Sequence, residues 1–420
     1  MINVKLLRNN PKLIASKLWR RMFFLNTKNI INIEKIRKFL QIELEKLQYK
    51  YKIIITKYNN DKYKKNFFLN EKKKISFFLK IIYKKFLKFK KKIKKYYSYI
   101  PNVPDSHIPY GIKYENNKII NQWGQIKKNK KYKNYMQLKK KFLDWESAQK
   151  ITGSKFTFIK GNMALLHRAL GQFMLDLHTF KHGYTETYVP YLVNKKSLYC
   201  TGQIPKFTNK LFHILNSKKK YTLISTGEIP LTNTMRNTTI LKKYLPIMLT
   251  TKTPCFRLES KSYGRKLKGL IRMYQFDKVE LVQMTSNKES FYTLEKITVH
   301  AEKVLQLLQL PYRKILLCAG ELGFGSTKTY DLEVWFPSQK RYKEVSSCSN
   351  MKNFQSRRMN AKYFSTNNSK KKKLLHTLNG SGLALSRILA AILENYQDNF
   401  GNIKIPKILS KKYMNGLKFI

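Results

Sequence analysis

The sequence predicts an α+β protein: an N-terminal antiparallel α-helical coiled-coil arm, then a domain built on an antiparallel β-sheet flanked by helices. Two observations predict it. Between Ile33 and Ile100 two series of apolar residues step by three and four, separated by a short polar gap, which is a heptad seam folded back on itself. Beyond about Leu138, short β-rich apolar runs follow one another with helical patterns between them, which argues for a sheet with segregated helices.

The chain opens with MINVKLLRNNPKLIASKL, a charge-interrupted helical start rather than a signal peptide. A cytoplasmic location is expected, with a basic organellar transit peptide as the alternative. The first seam is Ile33, Ile36, Leu40, Leu44, Leu47, Tyr51, Ile54 and Tyr58; the second is Ile75, Leu79, Ile82, Phe86, Phe89, Ile93, Tyr96 and Ile100. Asn59 to Asn66 is the polar turn between them. Each helix is expected to run about 27 residues, or roughly 40 Å. The outer positions are nearly all Lys, which suits a clamp on a nucleic-acid backbone and equally suits a solvated face. Pro101 and Pro104 end the second helix. The expected organisation is therefore an N-terminal unit over 1–100 (hairpin about 32–100), a linker over 101–137 and a main domain over 138–420. In that domain YTLIST, PIMLTT, LIRMYQF, KVELVQM, YRKILLC and KTYDLEVWF read as strands, and Gly161 to Phe180 as a helix.

The formal charge is +61, from 85 Lys and Arg against 24 Asp and Glu. A charge of that size favours a polyanionic partner, since cations that neutralise phosphates release counterions. The accompanying wealth of Asn, Ile, Tyr and Phe marks nucleotide bias, which accounts for a large share of the lysine. The four cysteines, Cys200, Cys255, Cys318 and Cys348, contain no Cys-x-x-Cys pair, so neither zinc nor a disulfide framework is expected. No apolar run approaches the ~20 residues of a membrane span.

Three segments are more ordered than their surroundings. In Phe256-Arg257-Leu258-Glu259, alternation on a strand would put Arg257 and Glu259 on one face. An Arg there can hold a phosphate through two parallel hydrogen bonds, and a Glu can accept from an exocyclic amine. The basic loop Ser260 to Gly269 would add a cover carrying Arg265, and Phe276 offers a ring for a base, with Glu280 on the same face. An ordinary hairpin with a surface ion pair would look the same. In Lys343 to Asn350, Glu344 and Ser347 offer a carboxylate and a hydroxyl three apart, oxygen ligands that suit Mg²⁺ carrying nucleotide phosphates. A strand end with a polar turn is the plain alternative. In Leu378 to Arg387, a glycine-rich turn is expected to open a helix, with Gly380 and Gly382 letting the backbone approach a ligand and Arg387 in reach of a terminal phosphate. It lacks the Gly-Lys-Ser/Thr ending of a Walker-A loop.

Taken together, LLRNNPKLIASKL, the arm, SYIPNVP, GYTETYVPYLVN, TGQIPKF, STGEIPLTN, TPCFRLES, RMYQFDKVE, KTYDLEVW, EVSSCSN and HTLNGSGLALSR resemble the bacterial-type seryl-tRNA synthetase family, within the class II aminoacyl-tRNA synthetases. The resemblance runs nearly the whole chain, and the class I signatures are absent. It implies an ATP-dependent serine–tRNA ligase, active on L-serine, ATP with Mg²⁺, tRNA(Ser) and, where it exists, tRNA(Sec). A catalytically inactive paralogue acting as an RNA-binding protein is the alternative.

Residue by residue, the resemblance implies that Pro190 marks motif 1 and a homodimer interface. It places Arg257, Leu258, Glu259, Phe276, Glu344, Val345, Ser346, Ser347 and Arg387 at the ATP site, with Glu344 and Ser347 as Mg²⁺ ligands. It places Thr226, Gly227, Glu228, Glu280 and Ser381 at the serine site. No zinc set of the threonyl type is visible, and no general base is nominated. Glu321 replaces the usual Asp, Gly227 the common Ala and Cys200 the usual Gly. The arm is more basic than the family's usual one, which points to high tRNA affinity with weaker discrimination.

Overall fold

The computed structural model describes residues 1–60, 63–126, 132–138, 142–215, 220–259, 269–366 and 371–420. The chain divides into two units, Ile2–Pro101 and Asn102–Ile420.

The smaller unit is helical: α1 (Val4–Asn9), α2 (Pro11–Trp19), α3 (Thr27–Asn60) and α4 (Lys65–Ser98). Asn3 caps α1 by accepting from the Lys5 amide, and α2 starts on Pro11, where a missing N–H costs nothing. α3 and α4 pair antiparallel. Lys72 lies 5.2 Å over the Tyr58 ring near one end, and the Tyr97 hydroxyl donates to Glu34 at 2.6 Å near the other. Each has 34 residues, about 50 Å at 1.5 Å per residue, longer than the seam alone indicates. The extra turn has a local cause: the Asn26 side chain accepts from the Asn29 amide at 2.9 Å, so the helix begins six residues before Ile33 and buries Ile30. Leu44 and Ile93 are buried, most other seam residues are half-buried, and Ile36 is exposed.

The larger unit holds an eight-stranded sheet. In chain order its strands are β1 (Lys118–Trp123), β2 (Thr185–Glu186), β3 (Ile247–Phe256), β4 (Gln275–Thr285), β5 (Tyr312–Leu316), β6 (Lys328–Phe336), β7 (Arg341–Asn350) and β8 (His376–Ala384). Their spatial order is β1-β5-β6-β7-β8-β4-β3-β2. Every neighbouring pair is antiparallel except β2 with β3. β1 falls inside the stretch expected as a linker and is instead an edge strand, paired along β5. Helices Gly161–Asp176, Ser290–Leu307 and Leu385–Asn395 cover one face. Leu166, Leu170, Ile297, Ala301, Ile388 and Ile392 join Val279, Leu281 and Leu332 in a single apolar core.

Three local expectations change. LIRMYQF is strand only from Gln275; before it the chain turns, and the Tyr274 amide donates to the Lys155 carbonyl. In YTLIST only Thr222–Leu223 is strand. The glycine-rich segment is no turn: Gly380 and Gly382 lie inside β8, and the helix opens after Ala384. Both glycines face the helices. A Cβ on Gly380 would lie 2.5 Å from Ile297 Cγ2, and one on Gly382 would lie 2.7 Å from His178 Nε2. They are small because helices press on the strand, not because a ligand does.

Candidate active site

The opposite face of the sheet carries a cavity of about 430 Å³. Period-2 alternation fills it: on β4, Val279 and Leu281 go to the core while Phe276 and Lys278 line the cavity and Glu280 lies beneath them. Glu344, Val345, Ser347 and Ser349 line it from β7, and Asn379, Ser381 and Ala384 from β8, with Arg387 beyond. Arg257, Leu258 and Glu259 also line it, although they lie just past the end of β3 rather than on it. Their alignment comes from the Arg257 amide donating to the Tyr274 carbonyl and the Leu258 amide to the Lys210 carbonyl. Arg265, in the segment 260–268, lies outside the described residues.

At one end, the Arg257 guanidinium sits 5.2 Å over the Phe276 ring and donates to the Ser225 carbonyl at 3.0 Å. Arg387 donates to the Glu344 carbonyl at 2.7 Å and pairs with its carboxylate at 3.3 Å. Glu344 and Ser347 thus present a carboxylate and a hydroxyl into the same space. Asp331, across the ladder from Ser347, has a buried Oδ1 with no hydrogen-bond partner; burial, then the Glu344 carboxylate, hold its carboxyl well above the usual range. An oxygen-only set of this kind fits a hard divalent cation. Among the described residues no cluster of three His, Cys, Asp or Glu is placed to hold a metal by protein ligands alone.

The other end is a buried polar network. The Thr226 hydroxyl donates to Glu280 at 2.8 Å, Lys278 lies 2.5 Å from the same carboxylate and donates to Thr226 at 3.1 Å, and Asn379 donates to Glu280 at 3.3 Å. Glu228 opens the short helix Glu228–Asn233 and accepts from Gln355 at 2.6 Å. Burial, then repulsion from Glu280, push the Glu228 carboxyl up to about 7. Gly227 has no room for a side chain, since a Cβ would lie 2.9 Å from the Thr251 methyl. That contact gives the Gly at this position a local reason.

Thus Thr226, Glu228, Arg257, Leu258, Glu259, Phe276, Glu344, Val345, Ser347, Ser381 and Arg387 share one cavity, with Glu280 as its floor. Ser346 faces away; its hydroxyl donates to the Ser381 carbonyl at 2.6 Å from beneath. Pro190 is exposed and lies outside the cavity lining. Sequence reasoning missed Lys278, Asn379 and Gln355. The first two stand two residues from Glu280 and Ser381, so strand alternation could have found them. Gln355 comes from the helix Phe354–Met359, with no local signal.

Residues 1–104 match the seryl-tRNA synthetase N-terminal domain, and residues 211–396 the class II tRNA synthetase core domain (G, H, P, S and T). The serine–tRNA ligase of Wigglesworthia glossinidia brevipalpis is 51% identical over the full length of both chains. The chain belongs to the seryl-tRNA synthetase family. The serine–tRNA ligase of Buchnera aphidicola subsp. Baizongia pistaciae is 49% identical, again over all of both chains. Among solved structures, seryl-tRNA synthetase from Pyrococcus horikoshii, complexed with ATP, superposes with a TM-score of 0.91 at 30% identity, covering 100% of this chain and 99% of that one. The cytoplasmic serine–tRNA ligase of Naegleria fowleri, in complex with AMP, has the same fold, with a TM-score of 0.88 at 24% identity, covering 100% and 98%. As in other class II members, the large sheet here is antiparallel-dominated, and among the described residues no helix is long and apolar enough to cross a membrane.

Proposed function

We propose that this chain activates L-serine with ATP and transfers it to tRNA(Ser). The observation that carries the reading is the joining, in one cavity, of Arg257 over the Phe276 ring and Arg387 with a buried Thr226–Lys278–Glu280–Glu228 network. Serine brings an ammonium and a hydroxyl, both donors, and Glu228 and Glu280 are acceptors at hand. A site built to bond a hydroxyl rejects alanine strongly, by roughly 10⁴-fold or more. Threonine, one methyl larger, would be opposed by size.

In the first step the serine carboxylate attacks the α-phosphorus of ATP and pyrophosphate leaves. Arg257 would hold the α-phosphate, Arg387 the γ-phosphate, Phe276 the adenine face and Glu259 its amine. Leu258 and Val345 would shape the walls, with Ser346 bracing the Ser381 carbonyl from beneath. Mg²⁺ bound with ATP would be held by Glu344 and Ser347 and would neutralise phosphate charge. In the second step the terminal ribose hydroxyl of tRNA attacks the seryl carbonyl and AMP leaves. Orientation and fixed cations serve both steps without a protein nucleophile. The test is amino-acid-dependent exchange of pyrophosphate into ATP. Exchange with serine, and none with threonine or alanine, is expected; no exchange with serine overturns the reading.

The N-terminal unit 1–100, with its Lys-covered hairpin (about 32–100), would grip the tRNA, leaving the catalytic domain to the chain beyond about 138. A homodimer through motif 1 is supported by the exposed apolar residues that flank Pro190 in the chain: Tyr188 is 90% exposed and Leu192 43%. The short edge strand β2 lies in the same stretch.

A further inference from the structure

Behind the cavity, on the helix side of the sheet, three histidines meet. His178 is fully buried in the π-helical turn Leu177–Lys181, an irregularity that tends to mark functional positions. Its Nε2 is 3.2 Å from the Gly382 carbonyl, and its Nδ1 is 3.0 Å from His182 Nδ1. His182 stacks on His300, with ring centres 4.1 Å apart and planes 11° apart. His300 Nδ1 lies 3.2 Å from the Tyr184 hydroxyl, which accepts from Gln283 of β4 at 2.7 Å.

Gly382 is where the β8–β4 ladder slips: Ser381 faces Glu280 and Leu383 faces Val279, so Gly382 has no cross-strand partner. An extra residue of this kind bends its strand and re-aims the neighbouring side chains. A buried carbonyl there needs a donor, and His178 supplies it from behind. Ser346 holds the preceding carbonyl, that of Ser381. The proton positions follow. A carbonyl only accepts, so His178 carries its proton on Nε2. Burial keeps the ring neutral, with its pKa pushed down to about 3, so Nδ1 accepts and His182 must donate from its own Nδ1. Burial first, then Lys303 for His182, and burial, His182 and Lys296 for His300, also favour neutral rings.

We propose that His178 is a positioning residue for the amino acid: its Nε2–H bond to the Gly382 carbonyl fixes the bulge that aims Ser381 into the cavity, and His182 fixes its tautomer. This rests on Ser381 contacting serine. The test is steady-state pyrophosphate exchange with His178→Phe, His178→Gln, His182→Ala and Ser381→Ala. His178→Phe keeps a ring without the donor and should raise KM for serine about tenfold, the size of one lost buried hydrogen bond, with KM for ATP within about twofold. His178→Gln keeps an N–H and should recover most of the loss. ¹⁵N NMR of labelled histidines, seven in the chain, should show His178 as the Nε2–H tautomer, and as a mixture in His182→Ala. An unchanged serine KM in His178→Phe while Ser381→Ala raises it would overturn the inference, as would equal loss of ATP and serine affinity. An Nδ1–H tautomer in the wild-type protein would overturn it even if His178→Phe does not fold. No effect of Ser381→Ala would instead sink the assignment of Ser381 to the serine site, and the purpose proposed for the bond with it.

Discussion

At the scale of single residues, Glu228 is the group whose environment makes the sharpest demand. Burial, then Glu280, push its carboxyl up to about 7, and on the proposed reading only the ionised form pairs with the substrate ammonium. Below pH 7 the free enzyme must shed a proton to bind serine, so kcat/KM for serine should fall about tenfold per pH unit there and level off above. Stability has the opposite sense. Between an unfolded value near 4.5 and about 7, the folded chain binds more protons than the unfolded one, so this group's contribution falls as pH rises. The span corresponds to roughly 3 kcal/mol. Glu228→Gln should therefore be more stable than the parent at pH 8, and nearly equal to it at pH 4.5, in urea titrations, while losing serine-dependent exchange. Arg257, on the proposed reading, offers a fork of donors to the reacting phosphate. Arg257→Lys should keep the fold and lower kcat for exchange by about 10²-fold, because a single ammonium cannot reproduce two parallel bonds. Residues of this kind were legible one at a time, since alternation and charge stand out against a lysine-rich background. Gln355 and His178 were not. Their work depends on a neighbour more than a hundred residues away in sequence.

At the scale of elements, β8 shows how pattern and packing diverge. Its glycines read as a loop, because glycine is ordinarily a strand weakener. The sheet keeps them because Ile297 and His178 press against the strand. Gly380→Ala should cost about 1–3 kcal/mol by overpacking, read as a lower melting temperature with the serine KM little changed. The arm is the converse case: its seam was visible in apolar spacing, yet its start was set by Asn26, a cap outside the seam. α4 carries 13 Lys against a single acidic residue, Glu71. Binding of tRNA should fall steeply with salt. In filter binding at physiological salt, a non-serine tRNA should bind less than 10³-fold more weakly than tRNA(Ser); a wider gap would mean that the arm discriminates by shape despite its charge.

At the scale of the whole molecule, two copies are proposed to meet through the stretch around Pro190 that exposes Tyr188. Tyr188→Lys should halve the particle mass by light scattering, and an unchanged mass would place the interface elsewhere. The sequence by itself determined the α+β class, the antiparallel arm, the family and most of the cavity residues. Periodicity records which face of an element is buried, and a reaction that needs fixed cations and carboxylates keeps them at set spacings while the surface drifts toward lysine. Only the tertiary structure decided that β1 closes the edge of the sheet and that Arg257 lies past its strand. It also decided that Ser346 faces away from the cavity, and that Lys278, Asn379 and Gln355 complete the buried polar network around Glu280 and Glu228. The physical reason is common to all of them. Hydrogen bonds and desolvation act between groups brought together from distant parts of the chain, and a linear pattern holds no record of which distant residue supplies the missing partner.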